Sequence, residues 1–157
     1  MKRKLKKVGI ALFLVLIAIQ FYQPALNQNP GQDYTNDFLI TTNAPSNISK
    51  LIKTSCYDCH SNNTEYLWYD YVQPARMFVE SHIKEGKEEL NFNEFGSYSN
   101  RKQQSKLEAI SKQIKSGEMP LSSYTILHHN AVLNETQKQE IITWINSINE
   151  SNSLSED

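Results

Sequence analysis

Cys56 and Cys59 are the only cysteines in the chain, and His60 follows the second directly, in the stretch "SCYDCHSNNTEYLWY". On a helical turn, two side chains three residues apart project from neighbouring sides of one face. An imidazole next to the second thiol can then be aimed from the same side. The fold must therefore supply a helix at residues 56–60 and, beside it, a surface for whatever two sulfurs and one imidazole jointly hold.

The N-terminus sets a second constraint. Five of the 16 basic residues (Lys2, Arg3, Lys4, Lys6, Lys7) precede an apolar run that begins at Val8, and no charge appears between Lys7 and Asp33. Val8 to Leu26 is long enough to be read as a membrane anchor, which needs about 20 mostly apolar residues. A cleaved signal peptide has the same basic-then-apolar layout. Both readings export the remainder of the chain, with the lysines left inside. The expected location is the cytoplasmic membrane, single-pass, with the body facing the periplasm; the alternative is a soluble periplasmic body after cleavage. The body itself is net acidic, which argues against nucleic acid as a partner.

Residues 1–26 are thus expected to be a signal anchor or transmembrane helix, and 27–45 a polar tether punctuated by Pro30, Gly31 and Pro45. Residues 46–149 form the folded domain, and 150–157 a disordered tail. Within the domain the apolar spacing predicts four helices. In the first, Ser46 caps a helix over residues 47–60 that carries Ile48, Leu51, Ile52 and Ser55 at helical spacing. The second starts at Pro74, places Met77, Phe78 and Ile83 on an apolar flank and stops at Gly86. The third sets Leu107, Ile110 and Ile114 on one stripe and ends at Gly117. The last begins with a capping box at "NETQ" and buries Ile141, Ile142, Trp144, Ile145 and Ile148. No alternating strand pattern appears, so the class is all-α: a small cytochrome-c-like helical domain behind an N-terminal helix.

C-x-x-C-H is the attachment signature of c-type haem. Each thiol adds to one vinyl group of the same porphyrin, and His60 meets the iron, so one covalently bound haem c is the implied cofactor. Three other chemistries compete. A thioredoxin-like pair wants a strand–helix fold and a reactive first cysteine. A structural disulfide with a two-residue loop is a poor staple. A zinc site wants four N or S ligands, and adjacent Cys59 and His60 are awkward together. For the sixth iron position Met119, in "SGEMPL", is the first candidate, with His82 and the pair His128–His129 as rivals; haem iron takes His or Met in such roles. The second ring nitrogen of His60 needs an acceptor, for which the Pro74 carbonyl is a candidate. Arg76 is a candidate propionate partner. Tyr66, Trp68, Tyr69 and Tyr71 are expected to wall the pocket. For each of these, ordinary packing or solvation is the competing reading.

The stretches "CYDCHSNNTEYLWY", "PARMFVESHIKEGKEELNFNEF" and "SGEMPLSSYTILHHNAVLNETQKQEIITWI" together resemble the haem-binding domain family, a c-type-cytochrome-like group. The resemblance spans about residues 45 to 148. It implies covalent haem on Cys56 and Cys59, His60 as axial ligand, and an anchored extracytoplasmic location. It implies no particular reaction, and it keeps His82 beside Met119 as a ligand candidate. The expected function is single-electron transfer to a redox partner protein that the sequence does not identify. A peroxidase-type enzyme, or a gas or redox sensor with an open or labile sixth ligand, is the alternative.

Overall fold

The computed structural model describes residues 1–153, with side chains through residue 150. Among them are seven α-helices, three 3-10 turns and no strand, so the all-α expectation holds. The helices are α1 (Lys2–Ile19), α2 (Phe38–Thr41), α3 (Ser46–His60), α4 (Ala75–Glu89), α5 (Asn100–Ser116), α6 (Ser122–Thr125) and α7 (Glu135–Ser153). The 3-10 turns are Trp68–Tyr71, Phe92–Ser97 and His129–Ala131. The tail read from residue 150 lies outside the described residues beyond 153.

The core forms where α5 and α7 pack together and close over α3. Phe38, Ile52, Phe92, Phe95, Leu107, Ile141 and Ile145 are each less than 3 % exposed. Phe38 is its aromatic hub, with ring centroids 5.0 Å from Phe92, 4.8 Å from Phe95 and 5.7 Å from Trp144. The helix ends follow local chemistry. Ser99 caps α5 through the Lys102 amide. Gly117 closes that helix at φ +76°, a left-handed conformation that costs a side chain energy. At α7, Asn134 and Gln137 exchange two 2.9 Å bonds, side chain to backbone in each direction, which completes the expected capping box.

Three expectations change. The apolar run does not continue as one helix to Leu26. α1 stops at Ile19, where Gln20 donates to the carbonyls of Leu16 (3.0 Å) and Gln73 (3.2 Å) and accepts from the Gln73 amide (3.0 Å). Its helical apolar part, Val8 to Ile19, rises about 18 Å at about 1.5 Å per residue, short of a hydrocarbon core of about 30 Å. No helix among the described residues is long and apolar enough to cross a membrane.

Residues 27–45 do not hang free. Asn27 alone joins Tyr66 Oη (2.6 Å), Ser61 O (2.8 Å), Thr64 Oγ1 (2.9 Å) and Lys87 Nζ (2.7 Å). Asp37 caps α2 and accepts from Tyr57 Oη and Asn93 Nδ2, while Phe38 enters the core. The stretch is a polar strap laid across the domain.

Third, Met77 and Phe78 are 52 % and 55 % exposed, and only Ile83 of that expected flank is buried. α4 passes Gly86 and continues to Glu89.

Because Phe38 anchors the strap to the core, Phe38→Ala should destabilise the domain by roughly 3–5 kcal/mol. Chemical denaturation of the variant beside the native chain measures this directly.

Candidate functional site

Ile52, Cys56 and Cys59 succeed one another along one stripe of α3, and His60 closes the helix. Ile48, Ile52 and Ser55 face inward, with Ser55 Oγ donating to Ala131 O at 2.9 Å. That registers the helix so that both thiols border the core on the wall of a cleft of about 450 Å³. Cofactor clefts typically measure about 300–1,000 Å³. α4 contributes His82 and Gly86, α5 contributes Lys106 and Ile110, and Met119 closes the rim.

Gly86 explains how α4 comes so close. A Cβ built there would lie 2.9 Å from Cys59 O and 3.4 Å from His60 Cε1. Any larger residue would push α4 off the last turn of α3. The same crossing sets His60. Its Nδ1 lies 3.0 Å from Leu90 O, and Leu90 N in turn donates to Gly86 O at 2.9 Å. A carbonyl can only accept, so Nδ1 carries the proton and Nε2 keeps its lone pair. Burial lowers the proton affinity of His60 below the ordinary imidazole value. The ring is therefore held neutral, in the tautomer a metal ligand requires. The acceptor is Leu90 and not Pro74, whose carbonyl takes the Phe78 amide.

The thiols are free. Burial pushes Cys56 up to about 12, with Cys59 adding to the shift, and pushes Cys59 up to about 11, with Asp58 and Asp70 adding. Both sit at the C-terminal end of a helix, where the dipole disfavours an anion. Exchange-active cysteines have depressed values, characteristically at helix N-termini, so a thioredoxin-like role finds no support here. Nor does zinc: among the described residues no group of three or more His, Cys, Asp or Glu could hold a metal ion.

Met119 and His82 line the same cleft as His60. His82 holds its ring by Nδ1 to Phe78 O at 2.9 Å and packs on Phe78 at 4.2 Å, which likewise leaves Nε2 available. His128 lies elsewhere, on a smaller cavity of about 150 Å³, lined also by Phe78, that meets the main one at Cys59, His82, Leu121 and Tyr124. Both of its ring nitrogens are engaged, Nδ1 by Tyr124 O at 3.1 Å and Nε2 by Tyr69 Oη at 3.4 Å. His129 is exposed in its 3-10 turn.

The expected aromatic wall is dispersed. Tyr69 lines the smaller cavity, Tyr66 binds Glu80, and Trp68 and Tyr71 are 80 % and 48 % exposed. Pro74 caps α4 away from the cleft. Arg76 is bound to Gln23 Oε1 and Pro24 O, just ahead of the strap, and lines neither cavity. Lys106, half-buried on the cleft and 3.8 Å from Glu89, is the cation that is present instead. Sequence reading missed the Leu90 carbonyl and Lys106, and took Gly86 for a helix stop where it is the point of close approach to α3. Only Gly86 left a signal, as a lone glycine inside an otherwise good helical pattern.

The fold and cleft define a small all-helical protein in which two thiols and one imidazole share the wall of a single cavity. The family model described as "Haem-binding domain" matches residues 14–147, and the chain belongs to that family. Haem is accordingly the cofactor of this chain. No curated protein matches the chain. No solved structure matches it either.

The site fixes a pH response of the chain before cofactor attachment. Folding holds the two thiols protonated beyond their ordinary value near 9, whereas the unfolded chain releases those protons first. Stability should therefore be complete below pH 9 and fall as pH rises through about 11. His60 acts oppositely: its contribution is present above an ordinary value of 6.5 and is lost as pH falls below it. Urea midpoints across the pH range would display both limbs. Gly86→Ala should cost roughly 1–3 kcal/mol by overpacking and should lower haem retention, read as bound haem per chain.

Proposed function

We propose that the protein is a monohaem c-type cytochrome that carries single electrons. The observation behind the proposal is that Cys56, Cys59 and the unprotonated Nε2 of His60 share one cleft wall, with Met119 and His82 lining the same cavity. Each thiol would add S–H across a vinyl group, forming a carbon–sulfur bond with the proton passing to the neighbouring carbon and no net oxidation. Bound haem supplies the one-electron couple. The chain's own residues orient His60 through Leu90 O, exclude water with Ile110, Ile114 and Phe92, and offer Lys106 to a carboxylate. Met119 is the proposed sixth ligand; a thioether there would raise the reduction potential.

His82 supports a second reading. Its unpaired Nε2 on the cleft would suit a distal base over an open sixth position, as in a peroxidase-type enzyme or a gas sensor. We further propose that the body is exported and remains attached to the membrane by α1. The support is the layout of basic then apolar residues, together with the strap: residues 20–29 bond to the body, so a cut after them would remove part of the fold. The partner is proposed to be a one-electron redox protein.

Purified from a host with cytochrome c maturation, the protein should give the pyridine haemochrome spectrum of two saturated vinyls, and an intact mass raised by one haem. A mass of bare polypeptide would overturn the reading. Since thioether sulfurs do not titrate, the thiol part of the alkaline stability limb should vanish on attachment, leaving the part set by Tyr57, Tyr66 and Tyr124, whose hydroxyls burial also pushes up. Met119→Ala should convert a low-spin ferric spectrum with a sulfur–iron charge-transfer band to high spin. If His82→Ala does so instead, the ligand assignment moves to His82.

A further inference from the structure

The stretch from Tyr66 to Val79 exposes large apolar side chains, with Arg76 its one partly exposed charge. Leu67, Trp68, Tyr71, Val72, Met77 and Phe78 are 38 %, 80 %, 48 %, 46 %, 52 % and 55 % exposed. The two ionisable groups of opposite sign in that stretch are engaged: Asp70 is buried and caps its own turn through the Leu67 amide, and Arg76 is tied to Gln23 and Pro24. Isolated exposed apolar residues are ordinary, but a contiguous set marks a contact surface.

The position of this face says what contacts it. Gln73, in its middle, exchanges bonds with the Gln20 side chain and donates to Tyr22 O. The face is thereby joined to the end of α1, where Phe21 and Tyr22 are 83 % and 61 % exposed. α1 in turn buries no residue at all. An apolar helix bare on every side and an aromatic face thus form one continuous surface, hydrogen-bonded at the junction. Trp and Tyr are the residues enriched at the level of lipid headgroups.

We infer that the Leu67–Phe78 face rests on the bilayer, with Trp68 and Tyr71 at headgroup depth beside the emerging end of α1. The apolar length of α1 is short, and its lysines can snorkel at the other end. The orientation is set by the same contact. His82 lies one turn beyond Phe78 on α4 and Gly86 two, so the cleft would stand within about 6–12 Å, along that helix, of the embedded residues. This inference rests on the attachment by α1 proposed above.

The test uses the full chain in phosphatidylcholine–phosphatidylglycerol vesicles, with acyl chains either unmodified or brominated close to the headgroup. Trp68 and Trp144 are the only tryptophans, and Trp144 packs against Phe38 in the core. Taking the ratio of emission in the two lipids cancels other quenching. The native chain should lose about half or more of its Trp68 emission in brominated lipid, and Trp68→Phe, at a surface site that folding does not need, should abolish that loss. Co-flotation with vesicles but no Trp68-dependent quenching would overturn the lipid contact while leaving attachment intact, and would assign the face to a protein partner. Failure to co-float would overturn attachment by α1, and this inference with it.

Discussion

The site depends on one hydrogen bond, His60 Nδ1 to the Leu90 carbonyl. It fixes the imidazole tautomer, and it can form only because α4 passes the end of α3 at a distance that Gly86 alone allows. Leu90 also places its side chain in the core. The carbonyl that orients the ligand and the side chain that closes the hydrophobic interior thus belong to the same residue. Metal-binding histidines need such an outer partner to hold their orientation, and here that partner is set by tertiary packing instead of by a flexible side chain.

The second organising feature is polar. Between Gln20 and Asp37 the chain contributes almost nothing apolar, yet it is held by amides and hydroxyls at Tyr66, Ser61, Thr64, Lys87, Tyr57 and Asn93. Such bonds each contribute little net stability, about 0.5–1.5 kcal/mol. Their number and spacing suffice to lay the strap along one path. The loop between α3 and α4 is held from outside by this strap and from inside by Asp70, which keeps the thiols and His60 on a defined turn.

The parts of the molecule legible in the sequence were those encoded locally. The capping box at Asn134, the glycine stop at Gly117 and the apolar stripes of α5 and α7 each depend on residues within a few positions of one another. The CxxCH spacing belongs to the same class. What failed was encoded at a distance. Arg76 looked free because its partners, Gln23 and Pro24, lie some fifty residues away. Met77 and Phe78 looked like core because periodicity cannot tell a face turned to protein from a face turned elsewhere. Residues 27–45 looked like a linker because composition registers apolar burial and is blind to side-chain amides that pair across the fold. The strap's one strong apolar signal, Phe38 and Leu39, was too short to weigh against its polar surroundings.

A freely jointed leash over residues 27–45 would have let the domain roam, since flexible chains of that length have end-to-end distances of about 25 Å. The strap replaces that leash with a bracket. A bracketed domain samples few orientations relative to α1, so an electron carrier of the kind proposed could not swing between a donor on one side and an acceptor on another. Traffic must then be arranged by the molecules that visit it, and the geometry of encounter is set by the fold and not by chance.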